Sequence, residues 1–121
     1  MEWDIRNDQP IYPQLIQQVT LAILSGTFPC GGRLPPVREM AAEAGVNPNT
    51  MQRALAELER TGLVYTQRTA GRFVTEDAAV IDSAKQELAH QQVRAFLRRM
   101  ERMGYDREQT AQLVRSWKEE A

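Results

Sequence analysis

The chain has 121 residues, 42% apolar and 26% charged, which suits a packed domain and argues against wholesale disorder. Its net charge is −1, from 15 basic and 16 acidic residues, so bulk charge does not make it a nucleic-acid coat. No apolar run approaches the ~20 residues of a bilayer span. The start Met1-Glu2-Trp3-Asp4 lacks the layout of a secretory signal, and the single Cys30 has no partner for an internal disulfide. The expected compartment is therefore the reducing cytoplasm, without a membrane partner.

In chain order, Trp3, Asp4 and Ile5 alternate apolar and polar and predict a very short strand, followed by a polar loop to Pro10. Tyr12, Leu15, Ile16, Val19, Ala22 and Ile23 recur at helical spacing, and Gly26 supplies a stop, which predicts a first helix from about Ile11 to Ser25. Thr27 to Leu34, with Pro29, Gly31 and Gly32, reads as a connector. A second helix is expected from Pro35-Pro36 through Val37, Met40 and Ala41 to a stop at Gly45. A third opens at Asn47-Pro48, an N-cap residue followed by proline, and stops at Gly62.

Leu63 to Thr66 and Arg72 to Thr75 are β-branched and aromatic-rich runs joined through Gly71, and they predict a hairpin. From Asp77 the pattern turns helical again. Ile81, Ala84, Leu88, Ala95, Phe96, Met100 and Met103 share one side of a long helix ended by Gly104. Asp106 and Gln109 have the spacing of a capping box for a last helix through Leu113, Val114 and Trp117. The fold class expected is mainly α with a small β-hairpin: a winged helix-turn-helix domain over residues 1–76 and a two-helix dimerisation tail over 77–121.

The turn Gly45-Val46-Asn47 between the second and third helices makes a helix-turn-helix, and the hairpin adds a wing. On a helical wheel Met51, Ala54, Leu55 and Leu58 of the third helix fall together and face a core. Asn49, Arg53, Ala56 and Arg60 fall on the other side, long hydrogen-bonding groups beside a small alanine, as a helix entering a major groove requires. Residues 33–75 carry six arginines (33, 38, 53, 60, 68, 72) against four glutamates (39, 43, 57, 59), a local basic bias. A plainer reading pairs Arg53 with Glu57 at i+4 as a solvated surface ion pair.

Three groups of residues together resemble the GntR family of bacterial regulators. The first is Gly32-Arg33-Leu34-Pro35 with Arg38-Glu39-x-Ala41; the second is Gly45-Val46-Asn47-Pro48-Asn49-Thr50. The third runs Ala54-Leu55-x-x-Leu58-Glu59-x-x-Gly62-Leu63-Val64 and ends at Gly71-x-Phe73-Val74. Gln9-Pro10-Ile11-Tyr12-x-Gln14 and the Asn-Pro-Asn-Thr turn are similar to its YtrA-like branch. The resemblance implies a homodimer acting, as a rule, as a repressor on a pseudo-palindromic double-stranded operator. It places DNA contacts on Arg38, on Asn47, Asn49 and Thr50 with Gln52 and Arg53 nearby, and on the wing around Arg68 and Gly71. With Arg33 and Arg72, these make the expected DNA-binding set.

Two positions depart from the family pattern. Pro36 stands where a capping serine is usual, and Thr69-Ala70-Gly71 keeps only the second of the wing-tip glycines. The departure leaves open whether the wing tip contacts bases, while phosphate contacts through Arg68 and Arg72 survive it, because they need charge and reach more than backbone freedom.

Ile81, Leu88, Phe96, Met100, Met103 and Trp117 are the expected dimer seam. Aromatic and methionine stripes at this spacing read as seam rather than ligand box, so no effector or cofactor is indicated. No enzyme is expected: His90 and Cys30 have no evident catalytic partner, and metal, nucleotide-binding and nucleophile-elbow motifs are absent. The rival reading, a winged helix used only for protein contact, would call for an acidic or apolar outward face on the third helix.

Overall fold

The computed structural model describes residues 1–119. Glu120 and Ala121, the end of the expected tail, lie outside the described residues. The element order is α1 (Ile11–Leu24), α2 (Val37–Ala44), α3 (Pro48–Arg60), β1 (Val64–Gln67), β2 (Gly71–Val74), α4 (Ala78–Arg102) and α5 (Arg107–Ser116). Two compact units divide the chain, Met1–Lys85 and Gln86–Ala121. The hairpin ends where the sequence marks the end of the winged helix, but the compact unit runs on to Lys85. The cause is apolar contact: Val80, Ile81 and Ala84, in the first turns of α4, are half-buried against its core.

That core is built from one face of each element. Leu15, Val19 and Ile23 of α1, Met40 and Ala41 of α2, and Met51, Ala54, Leu55 and Leu58 of α3 are buried together with Leu63, Val64 and Val74 of the hairpin. At ~25 cal/mol per Å² of apolar surface removed from water, this shared burial is the main force holding α3 in place. The caps follow local chemistry. Asn47 Oδ1 accepts the Asn49 backbone N–H at 2.7 Å, which satisfies one of the orphan donors at the start of α3. Pro36 caps α2 without any side-chain hydrogen bond and stands one residue before the helix rather than inside it. Gly45 closes α2 in the left-handed region, at φ 71°, where a side chain would strain the tight turn into α3.

β1 and β2 pair antiparallel from Val64↔Val74 to Gln67↔Gly71, leaving Arg68, Thr69 and Ala70 as the connecting loop. The segment read as an irregular connector pairs with the outer edge of β2. Gly31 donates to Val74 O at 3.1 Å, Val74 to Gly32 O at 2.9 Å and Leu34 to Arg72 O at 2.8 Å. This edge pairing covers a strand that would otherwise present open donors and acceptors.

The expected strand at Trp3–Ile5 does not form. Its backbone is bound instead by glutamine side chains of α1: Gln18 accepts from Asp4 N at 2.9 Å and donates to Asp4 O at 2.7 Å. Gln14 does the same for Arg6, at 2.7 and 2.8 Å. A carboxamide carries the same donor and acceptor as a peptide group, so it satisfies the extended segment without a neighbouring strand.

In the unit Gln86–Ala121, Asp106 and Gln109 form the expected capping box, with Gln109 N donating to Asp106 Oδ1 at 2.8 Å and Asp106 N to Gln109 Oε1 at 2.9 Å. Leu88 and Thr110 are buried. Among the described residues, no helix is long and apolar enough to cross a membrane.

Candidate nucleic-acid interface

Because Met51, Ala54, Leu55 and Leu58 turn inward, α3 presents Asn49, Gln52, Arg53, Ala56 and Arg60 to solvent. What these side chains can do depends on what already holds them. Arg60 is engaged by its own helix: its Nε lies 2.9 Å from Glu57 Oε2. The hydrogen bond from Arg60 holds the Glu57 carboxyl below the usual carboxylate range, and the same pair raises the Arg60 guanidinium. Arg53 does not pair with Glu57. Its guanidinium carbon lies 4.8 Å from the centre of the Tyr12 ring of α1, a cation–π contact that steadies the side chain while its charge stays unneutralised.

The second acid of α3, Glu59, is neutralised from the hairpin. Arg72 Nε donates to Glu59 Oε1 at 3.1 Å, and the Thr66 hydroxyl donates to the same oxygen. Arg72 Nη1 reaches further and donates to Gln52 Oε1 at 3.2 Å. Arg72, one of the expected phosphate contacts, is turned inward, with its side chain 16% exposed, and cross-links the wing to α3. Neither acid of α3 is left as a bare negative charge on the helix.

Of the expected DNA-binding arginines, Arg33, Arg38 and Arg68 have no side-chain hydrogen bond or ion pair among the described residues, and Arg53 is held only by its ring. Arg38 is exposed on α2, and Arg68 is exposed in the three-residue wing loop. Arg33 pairs with Phe73 on β2, and its guanidinium lies beside Gly71, next to the wing loop. A Cβ placed on Gly71, at φ 106°, would come within 3.0 Å of Arg33 Nε, so the glycine both permits the backbone turn and leaves room for the guanidinium. Asn47 spends its Oδ1 on the cap, and Thr50, half-buried, begins the helix beside it. All ten sequence-predicted DNA-binding residues belong to the unit Met1–Lys85.

The six expected seam residues separate. Ile81 is half-buried against the winged-helix core and Leu88 is buried within the single chain. Phe96 and Met100 are half-buried. Met103 and Trp117 are 63% and 77% exposed, and Trp117 lies just past the end of α5. Val93 on α4, which the sequence reading passed over, is 55% exposed, and Leu113 and Val114 of α5 are also exposed.

A family model described as bacterial regulatory proteins, gntR family, matches residues 11–74. The uncharacterized HTH-type transcriptional regulator YhcF of Bacillus subtilis is 34% identical over 119 residues, covering 98% of each chain. The HTH-type transcriptional repressor YtrA of the same organism is 44% identical over 75 residues, 62% of this chain and 58% of that protein. Among solved structures, a GntR family transcriptional regulator from Listeria monocytogenes superposes with a TM-score of 0.81 at 35% identity, covering 94% of this chain and 100% of that one.

Proposed function

The chain belongs to the GntR family of bacterial regulatory proteins, DNA-binding transcriptional regulators, and from that premise we propose that it is a homodimeric repressor reading a pseudo-palindromic operator. The observation that carries the reading is the outward face of α3. Asn49, Gln52 and Arg53 are exposed there, while both acids of the helix are paired with arginines. Such a face is neither acidic nor apolar, which favours a major groove over a protein partner. The repressor assignment draws on the name carried by the Bacillus relative YtrA.

In this reading Asn49, Gln52 and Arg53 meet base edges. Arg38 and Arg68, exposed and unpaired among the described residues, meet phosphates on either side, with Arg33 beside Gly71 of the wing and the start of α3 at Asn47 and Thr50 close to the backbone. The two groups predict different losses. Asn49→Ala and Arg53→Ala should each weaken binding to the preferred duplex by about 1–3 kcal/mol and leave binding to a scrambled duplex little changed. Arg38→Ala and Arg68→Ala should weaken both duplexes alike and lower the slope of log affinity against log salt by about one each. Fluorescence anisotropy on the region upstream of the protein's own gene, titrated over salt, reads both. Equal affinity of the native protein for native and scrambled duplexes would end the reading.

A further inference from the structure

Gln52 is the one exposed side chain of α3 whose hydrogen bonding is set by the wing. Building on the DNA-reading function proposed above, we propose that Arg72 is a positioning residue that locks the Gln52 carboxamide with its donor side outward, so that Gln52 selects guanine. A glutamine free to rotate is a poor discriminator. Its two ends are a donor and an acceptor of nearly the same shape, and by flipping it suits most base edges; its best single match is adenine, which offers N7 as acceptor and N6 as donor.

Here the flip is fixed. A guanidinium has only donors, so the Gln52 atom facing Arg72 Nη1 at 3.2 Å must be Oε1, and Nε2 with both its hydrogens is left to lead. Arg72 cannot swing away cheaply, because its Nε is tied to Glu59 Oε1 at 3.1 Å and the same oxygen is held by Thr66. The local field acts in the same direction. A guanidinium beside Oε1 opposes the approach of a further donor, such as adenine N6, and favours the most negative edge in the major groove, guanine O6 and N7. The Glu59 carboxylate balances the charge of Arg72 but sits on its hairpin side, bonded to Nε and to the Thr66 hydroxyl, so it offers the base nothing. The ion pair thus lets Arg72 serve specificity without contacting DNA itself.

The test is a selection from a randomised duplex pool with the full chain, followed by affinities for all four base pairs at each enriched position. Gln52→Ala should flatten one position, and there the native protein should prefer guanine over adenine by about tenfold or more. Arg72→Ala should remove that margin at the same position, moving the preference toward adenine, while other positions keep theirs. Gln52→Glu leaves Arg72 in place and removes the outward donors, so guanine should be lost in favour of cytosine, whose N4 donates. This variant keeps the proposal exposed to refutation if Arg72→Ala unfolds the wing, which a melting curve would show.

Adenine preferred by the native protein at the Gln52 position would overturn the proposal. So would guanine retained in Gln52→Glu, or an Arg72→Ala that loses affinity evenly for all duplexes with a shallower salt slope, which is the mark of a phosphate contact. A pool in which no sequence is enriched would instead remove the DNA-reading function on which the proposal stands.

Discussion

Replacing Leu55 by alanine is expected to cost about 2–5 kcal/mol of folding free energy. Leu55 has no exposed surface and lies in the middle of α3, where α1 and α2 both pack on that helix. Removing its isobutyl group deletes apolar burial and leaves a void that the rigid helices around it cannot close. A domain of this size is stable by only ~5–15 kcal/mol, so such a loss is a large fraction of the whole. In a urea titration the midpoint should fall with little change in slope. The neighbouring residue supplies the control. Ala56 is exposed, and Ala56→Ser should change stability by no more than ~0.5 kcal/mol. A loss below 1 kcal/mol for Leu55→Ala, or comparable losses for both, would mean that α3 does not turn this face inward.

That contrast was legible from the sequence because it rests on local periodicity alone. Met51, Ala54, Leu55 and Leu58 repeat at helical spacing, and a helix with one apolar stripe has one way to bury it. The capping box at Asp106 and the cap at Asn47 were legible for the same reason: donor, acceptor and spacing lie within four residues.

What escaped the sequence reading was decided by approach between distant segments. Local spacing offered Glu57 two arginines, Arg53 four residues before it and Arg60 three after. The ring of Tyr12, on another helix, takes Arg53 and leaves Glu57 to Arg60. In the sequence the charge of Arg72 is visible and its partner is not. Glu59 lies 13 residues earlier, and only the folding of the hairpin back against α3 brings the two together. The strand expected at Trp3–Ile5 failed similarly, since the alternation that predicts a strand says nothing of glutamine side chains waiting on α1.

Substituting the exposed apolar residues of the tail should abolish tight operator binding without touching the reading head. Val93, Met103, Val114 and Trp117 are each more than half exposed within the unit Gln86–Ala121, on a tail otherwise rich in charge. Exposed apolar side chains in so short a segment are a standing cost in water unless a partner covers them, and a second copy related by a two-fold axis offers the same surface in return.

The consequence for DNA binding is multiplicative. Once one reading head is bound, the other is held near its half-site at high effective concentration, which raises affinity by about 10²–10⁴ over a single head. Met103→Glu combined with Val114→Glu places two like charges in that surface and should leave a monomer by sedimentation at micromolar concentration. Its affinity for a two-half-site operator should fall by about 10²–10⁴, while affinity for a single half-site duplex stays that of the native protein. The geometry adds a further check. Two heads on one face of the duplex require half-site centres about one helical turn apart, or a multiple, so inserting about half a turn of DNA between them should cost the native dimer nearly as much as losing the partner. A native chain that sediments as a monomer, and binds the full operator no better than the doubly substituted one, would show that the tail's apolar surface serves something other than a second copy.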